Sequence, residues 1–287
     1  MAKTWALAVA GVAALMGCAD GDRSGVYRDL AADLEARGHL RTDAAPADAP
    51  FTAEDLTRAF ERVAFSYEFT FRDGRKVEGP IARPLKRWQG TVGYRLIGDG
   101  VREADRLEIA ALFDRLATLT GLTFRVVTAR EHMLISIATP EGRREISQGF
   151  ADAGQDVYRV HYDTWRRSPG WTCGAVTSVS TADPNRLMHA HIFLGAEAKG
   201  IIRSGCLHEE IVQALGLTDD DPDARPSIFN DDQEFALLTM HDELLLRVLY
   251  DPRLQPGMSA AEAVPIARRL FAELTAANAI PLYPVTQ

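Results

Sequence analysis

The sequence predicts one globular domain of mixed α and β structure. Nearly half of the 287 residues are apolar and a quarter are charged, which is typical of a globular chain with a sizeable core. The length allows one large domain or two small ones. Short alternating segments are interspersed with longer segments of helical periodicity, and their order is strand, long helix, several strands, helix, loop, helix. This order favours a single α+β or α/β domain over a repeat protein.

The first half of the chain predicts helices, a hairpin and a strand–helix–strand–strand series. Thr52 and Asp55 have the spacing of a capping box, and Gly121 ends the longest predicted helix. Asp73-Gly74 is a tight-turn pair between two alternating segments, which is typical of a hairpin. Helices are expected over 24–37, 52–64 and 103–120, and strands over 67–71, 76–77, 92–96, 124–127 and 133–138.

The second half of the chain is less regular. Residues 139–184 are rich in Gly, Arg and Trp with weak periodicity, so no element is predicted there. Within them, residues 161–165 include Tyr162 and Trp165 and are expected in a surface loop, with a ligand contact as the alternative. A strand is expected over 188–194, and helices over 204–215, 239–250 and 259–278.

The N-terminus has the pattern of a secretory signal. Lys3 precedes an uncharged run that is too short to span a bilayer, for which about 20 residues are needed. Leu15-Met16-Gly17-Cys18 follows and resembles the lipobox of bacterial lipoproteins. The resemblance implies a signal peptide over 1–17 and lipid on Cys18, and hence a membrane-anchored protein of the cell envelope facing the periplasm. The alternative is an ordinary secretory signal with an incidental cysteine.

The segment after the signal is interpreted as a tether. Residues 18–50 would contain the lipidated N-terminus, a short helix and a linker, because 41–50 are rich in Ala, Pro and Asp. The folded domain is then expected over 51–287. The formal charge of −8 argues against nucleic acid and against an anionic membrane surface as partners.

Two cysteines remain once Cys18 carries lipid. In an oxidising envelope Cys173 and Cys206 are expected to form a disulfide, and the alternative is two buried thiols. Such a bond would close a loop of about 33 residues, which stabilises a fold by roughly 3–4 kcal/mol in the chain-entropy model.

The segment with candidate chemistry is Cys206-Leu-His-Glu-Glu-Ile-Val-Gln-Ala-Leu-Gly-Leu-Thr-Asp219. It resembles the metzincin zinc-peptidase signature H-E-x-x-H-x-x-G-x-x-H, in which two ligands share a helix face and a third returns after a glycine turn. The segment can be aligned with this signature in two ways. An alignment that begins at His208 places Val212, which cannot bind a metal, at the second ligand position. An alignment that begins at Glu209 fits every spacing but has another residue at each histidine position, and we prefer it. Its members are Glu209, Glu210, Gln213, Gly216 and Asp219.

Two other segments resemble the same fold. The stretch Ser227-Ile228-Phe229-Asn230 lies where matrixin-like proteins carry the Met-turn, with Phe229 in place of Met. Residues 238–250 resemble the closing helix. The likeness covers about 85–252 and implies a zincin or metzincin-like α+β domain with a mixed sheet, a long backing helix, an active-site-type helix and C-terminal helices.

The sequence is also similar to a bacterial family of unknown function, domain family 2927. The similarity lies in the E-E-I-x-Q-A-L-G-L stretch from Glu209, the S-I-F-N-D stretch from Ser227, and residues 250–258. That family is grouped with metallopeptidase-like folds, so the resemblance implies a fold and leaves the activity open.

The metzincin resemblance implies that Glu209, Gln213 and Asp219 take the ligand positions and that Glu210 takes the position of the general base. Two carboxylates and an amide suit calcium, magnesium or manganese better than zinc. A divalent cation is therefore a candidate cofactor, and a conventional zinc site is not expected. Without a metal, the crowded carboxylates must have raised pKa values or a neighbouring arginine.

Three histidines receive structural interpretations. His208 is expected to lie off the ligand face, on the helix surface or behind the site. His189 and His191 share one face of a strand and are expected to pack with the sheet, with metal binding as the alternative.

Three functions remain open from the sequence. The favoured one is a pseudopeptidase that binds an envelope protein or a peptide, because the histidine ligands are missing. The second is a hydrolase with an atypical metal site and Glu210 as the general base. The third is a structural envelope lipoprotein. A bound divalent cation would favour the second function.

Overall fold

The computed structural model describes residues 23–72, 75–168, 171–230 and 232–276. The signal peptide, Cys18 and the Asp73-Gly74 turn lie outside the described residues. The described helices are α1 (Ser24–Ala36), α2 (Ala53–Phe65), α3 (Glu103–Thr120), α4 (Pro140–Asp152), α5 (Asp156–Arg166), α6 (Gly200–Gln213), α7 (Met240–Leu249) and α8 (Ala260–Ala276). The described strands are β1 (Ser66–Arg72), β2 (Arg75–Ala82), β3 (Thr91–Ile97), β4 (Thr123–Val126), β5 (Met133–Ala138), β6 (Cys173–Val179) and β7 (Leu187–Gly195).

A five-stranded mixed sheet forms the centre of the fold, in the order β4-β3-β5-β7-β6. Its first four strands in that order are parallel, and β6 runs antiparallel to β7 as the last strand. Every residue of β5 is buried, because successive side chains face opposite sides and both sides are covered. Met133 and Ile135 belong to the main core, whereas Leu134 belongs to a second core on the other face. The β1–β2 hairpin forms a separate two-stranded sheet.

Helices cover both faces of this sheet. The main core lies on the face that carries α3 and α6, with α2, α7 and α8 packed behind them. The second core lies under α4 and α5 and is mostly aromatic. The prediction of a mixed α and β domain with a mixed sheet is therefore confirmed. In the described ranges, no helix is long and apolar enough to cross a bilayer.

Three elements occupy the region in which the sequence predicts none, namely α4, α5 and β6. The helix α4 begins at a Thr139 cap followed by Pro140, but it carries few apolar residues to mark a period. The expectation that Tyr162 and Trp165 lie in a surface loop is wrong. Both side chains are fully buried on α5, where they form the second core with Phe193.

The N-terminal segment is built into the domain, which corrects the expectation of a spacer over 41–50. Tyr27 and Leu34 of α1 are buried in the main core. The backbone of Arg41 forms a bridge with Phe235. The Arg41 guanidinium also forms ion pairs at 2.6–3.0 Å with acidic partners on both sides of this bridge, Asp43, Asp48 and Glu234.

Candidate functional site

The helix that carries the motif, α6, is followed by a glycine that the fold requires. Gly216 has a φ of +120°, and a Cβ there would lie 2.4 Å from the carbonyl oxygen of Lys86. After this turn Thr218 fixes the chain: its N–H donates to Val63 O at 2.7 Å and its hydroxyl donates to Ser66 O at 2.8 Å. The residues that follow are thereby held beside the junction of α2 and β1.

A disulfide holds α6 against the edge of the sheet. Cys206 of α6 is bonded to Cys173, the first residue of β6. This confirms the predicted pairing, and both residues are buried. Because Glu209 and Glu210 follow Cys206 by one helical turn, the bond fixes their distance from the edge strand.

A groove opens between α6, β1 and β6. It consists of two adjoining cavities of about 140 and 240 Å³ that share Glu68, Phe69, Ala175 and Gln213. We call it the acidic groove. Its acidic end is lined by the carboxyl groups of Glu68, Glu209, Glu210 and Asp220, and its wall by Phe69 and Trp171 in edge-to-face contact at 5.3 Å.

Glu210 is the most unusual residue of the acidic groove. Its side chain is nine-tenths buried, with 5% of the residue exposed, and its Oε2 atom has no hydrogen-bond partner among the described residues. Burial, and then the negative charges of Glu209, Asp220 and Glu68, raise the pKa of Glu210 well above its usual value. The carboxyl group is therefore protonated at pH values where ordinary glutamates are ionised.

The structure brings Glu209, Glu210 and Gln213 to the same groove but places Asp219 elsewhere. The Gln213 amide donates to Asp220 Oδ1 at 3.3 Å, so the residue after the predicted one faces the groove. Asp219 is buried, and its Oδ2 atom lies 3.0 Å from Nε of Arg62. Burial raises the pKa of Asp219 in spite of this arginine.

The predicted metal ligands do not form a set in this arrangement. Asp219 is engaged by Arg62, and the Gln213 amide is engaged by Asp220. In the parts of the chain that the structure describes, no group of three or more His, Cys, Asp and Glu is placed to hold a metal ion. The divalent cation stays a prediction from the sequence, and we assign no chemical step to it.

The predicted turn at Ser227-Ile228-Phe229-Asn230 is held by one carboxylate. Asp242, in the first turn of α7, accepts hydrogen bonds from the Ser227 hydroxyl at 2.6 Å and from the Ile228 N–H at 3.2 Å. Phe229 is fully buried, and its carbonyl oxygen accepts from the Asp221 N–H at 2.9 Å. The turn is thus joined to the segment that follows the Gly216 bend.

His208 is a buried structural residue. Its Nδ1 atom accepts a hydrogen bond from the Leu238 N–H at 3.1 Å, which leaves the ring neutral. Burial lowers the pKa of His208 to about 4, with a further contribution from Arg115. The placement agrees with the expectation that His208 lies behind the site.

Sequence reasoning did not assign Glu68, Trp171 or Asp220 to the candidate site, although all three line the acidic groove. The run of aspartates at 219–221 offered a signal for Asp220, but motif spacing selected its neighbour. Glu68 and Trp171 are far from the motif in sequence and reach it only through the β1 hairpin and the start of β6.

Comparison with known proteins places the chain in a family. No curated protein matches it. Residues 53–269 match the model of a family described as "Protein of unknown function (DUF2927)". The match runs from the start of α2 into α8 and therefore includes every element of the acidic groove. The chain belongs to the DUF2927 family of proteins of unknown function.

Proposed function

We propose that this chain is a lipid-anchored cell-envelope protein that binds, without cleaving, an extended peptide segment with a positive charge. The observation that carries the proposal is the buried Oε2 atom of Glu210, which lacks a hydrogen-bond partner among the described residues and belongs to a side chain that lines the acidic groove. A buried polar group without a hydrogen bond destabilises a fold by about 1–3 kcal/mol. A ligand that supplies the missing donor would recover this energy on binding.

The surroundings of Glu210 favour a cationic ligand. Glu68, Glu209 and Asp220 bring further negative charge to the same end of the groove. A lysine ammonium or an arginine guanidinium there would donate hydrogen bonds and stabilise the ionised form of Glu210. The rings of Phe69 and Trp171 in the wall add a surface that attracts cations.

The edge strand favours a peptide as the carrier of that charge. β6 is the last strand of the sheet and pairs with β7 on one side. Its residues Ala175, Val176 and Thr177 also line the acidic groove. An extended peptide can join an open sheet edge through backbone hydrogen bonds, while a pocket selects its side chain.

The hydrolase alternative requires Glu210 to act as a base. Burial and the neighbouring carboxyl groups favour the protonated form of Glu210, and only its ionised form can accept a proton. The third predicted ligand, Asp219, is also engaged by Arg62. Binding is therefore the function that this geometry supports best.

The envelope location rests on the lipobox-like pattern that ends at Cys18. The Cys173–Cys206 disulfide supports an oxidising compartment. Labelling cells with an alkyne fatty acid tests the anchor, and we expect the wild-type protein to be labelled and Cys18→Ala to be unlabelled. Equal labelling of the two proteins, or none of the wild type, would contradict lipidation at Cys18.

Calorimetric titration of the full-length protein tests peptide binding. The probes are acetyl-Ala-Ala-Lys-Ala-Ala-amide and the same peptide with norleucine in place of lysine. We expect the lysine peptide to bind at least about tenfold more tightly, which corresponds to ~1.4 kcal/mol. Because a bound cation lowers the pKa of Glu210, binding should release protons, and the heat should depend on the ionisation enthalpy of the buffer.

Two variants control this titration. Glu210→Gln should keep the shape of the groove but lose both the proton release and the preference for lysine. Glu145→Gln removes a carboxyl group from an exposed position on α4 and should change neither the proton release nor the preference for lysine. Equal affinity for the two peptides would refute the binding proposal. Peptide cleavage detected by mass spectrometry that Glu210→Gln abolishes would replace it with the hydrolase alternative.

A further inference from the structure

A second cavity lies between the sheet and the α4–α5 layer, under the loop that joins β4 to β5. Its volume of about 420 Å³ exceeds that of either cavity of the acidic groove. Small-molecule sites have volumes of about 300–1,000 Å³, so a ligand of modest size fits. Leu134, Phe150 and Tyr158 give it an apolar wall, in which the two aromatic rings stack with centroids 6.1 Å apart. We call it the histidine cavity, because His132, His189 and His191 line it.

His191 forms the polar base of the histidine cavity. The residue is 2% exposed, and its ring packs against those of Phe150, Tyr162 and Phe193. Its Nε2 atom lies 2.9 Å from Ser136 Oγ, whereas its Nδ1 atom has no hydrogen-bond partner among the described residues. Burial lowers the pKa of His191 to about 3, so the ring is neutral and its Nδ1 atom is an unused polar atom of a residue that lines the cavity.

The mouth of the histidine cavity carries excess positive charge. Arg95 and Glu131 neutralise each other in an ion pair at 2.6 Å. Arg130 is exposed, forms no ion pair with a described residue, and has a φ of +55°, which is uncommon for a residue other than glycine. His132 accepts from the Gly93 N–H through Nδ1 at 2.9 Å, so in the neutral ring Nε2 is the donor.

We propose that the histidine cavity binds a small molecule with an aromatic body and an oxyanion, either a carboxylate or a phosphate. The aromatic body would lie against Phe150 and Tyr158, and a polar substituent would meet the free nitrogen of His191. The oxyanion would lie at the mouth, where Arg130 and His132 supply charge and donors. The site is separate from the acidic groove, so this inference does not depend on the proposed peptide binding.

Calorimetric titration of the full-length protein with three probes tests the proposal. Phenylacetate carries a carboxylate, phenyl phosphate carries a phosphate, and 2-phenylethanol is a neutral analogue. We expect saturable binding of at least one anion, and the tighter of the two identifies the oxyanion. The neutral alcohol should bind at least about tenfold more weakly.

Matched variants assign the binding to this cavity. Arg130→Gln should weaken the preferred anion about tenfold and leave the alcohol unchanged. Arg125→Gln removes the same charge from an exposed position on β4 that does not line the cavity, and it should bind like the wild type. His191→Phe keeps the aromatic packing, removes the free nitrogen and should weaken all probes that bind.

Three results would overturn the proposal. The first is that neither anion binds at millimolar concentration. The second is that the alcohol binds as tightly as the anions. The third is that Arg130→Gln and Arg125→Gln behave alike while thermal unfolding shows that both variants are folded.

Discussion

Asp242 and Glu210 are both buried carboxyl groups on consecutive helices of the chain, but their surroundings differ. Asp242 is fully buried and accepts four hydrogen bonds, two from the turn and two from its helix cap; the donors are the Ser227 hydroxyl, the Ile228 N–H, and the N–H and hydroxyl of Thr239. Glu210 is almost as buried, yet its Oε2 atom accepts none among the described residues, and burial together with three acidic neighbours raises its pKa.

The comparison distinguishes a buried carboxyl group that stabilises the fold from one whose burial destabilises it. The hydrogen bonds to Asp242 hold the Ser227–Asn230 turn to α7, so this carboxylate stabilises the native state. The Glu210 carboxyl group makes no comparable contribution, because burial without donors disfavours it. A destabilising buried acid that lines an open groove is typical of a binding or catalytic position.

The largest expected effect comes from removing the well-bonded carboxylate. Asp242→Ala leaves buried donors of Ser227, Ile228 and Thr239 without an acceptor, and we expect the free energy of unfolding to fall by about 3–5 kcal/mol. Urea denaturation followed by circular dichroism measures this change. Asp242→Asn keeps one acceptor oxygen and should lose less. If Asp242→Ala lost less free energy of unfolding than Glu210→Ala, the distinction between the two carboxyl groups would be contradicted.

An intermediate effect is expected at the covalent bond between the groove walls. Cys173→Ser removes the cross-link over 33 residues, and we expect a loss of roughly 3–4 kcal/mol in the free energy of unfolding. Cys206→Ser and the double variant should lose a similar amount, because each change breaks the same bond. Two reactive thiols in the oxidised wild-type protein, or a stable single variant, would show that the bond does not constrain the groove.

The parts of the fold that the sequence predicts are those with strong local signals. Capping boxes at Thr52 and Thr239 mark α2 and α7, and the periodicity that ends at Gly121 marks α3. The layer formed by α4, α5 and β6 lacks such signals, because its core contacts come from a few large rings such as Trp165. Their burial depends on the sheet face that they meet, which local periodicity does not encode.

The candidate site likewise contains residues that local sequence spacing predicts and residues that only the tertiary structure brings together. Helical spacing places Glu209, Glu210 and Gln213 in one groove, since residues one turn apart share a face. The choice between Asp219 and Asp220 depends on the backbone path after Gly216 and on Arg62, which motif spacing does not contain. Glu68 joins the site through tertiary structure alone, so no local pattern could identify it.

The smallest expected effect, and the most diagnostic one, is the contribution of Glu210 to the pH dependence of stability. The pKa of Glu210 is higher in the folded protein than in the unfolded chain, where it is near its usual value. The folded state therefore binds more protons than the unfolded state above that usual value, and the stability of the wild type falls as the pH rises through the raised pKa. Glu210→Gln cannot ionise and should lack this loss.

We expect the wild type and Glu210→Gln to differ by less than about 1 kcal/mol at pH 4, where both groups are neutral. The difference should then grow in favour of the variant as the pH is raised toward 8. Urea denaturation at a series of pH values measures it, with Glu145→Gln as a control whose curve should parallel the wild type. Parallel curves for Glu210→Gln and the wild type would mean that Glu210 ionises normally, and the contrast with Asp242 would then lose its functional meaning.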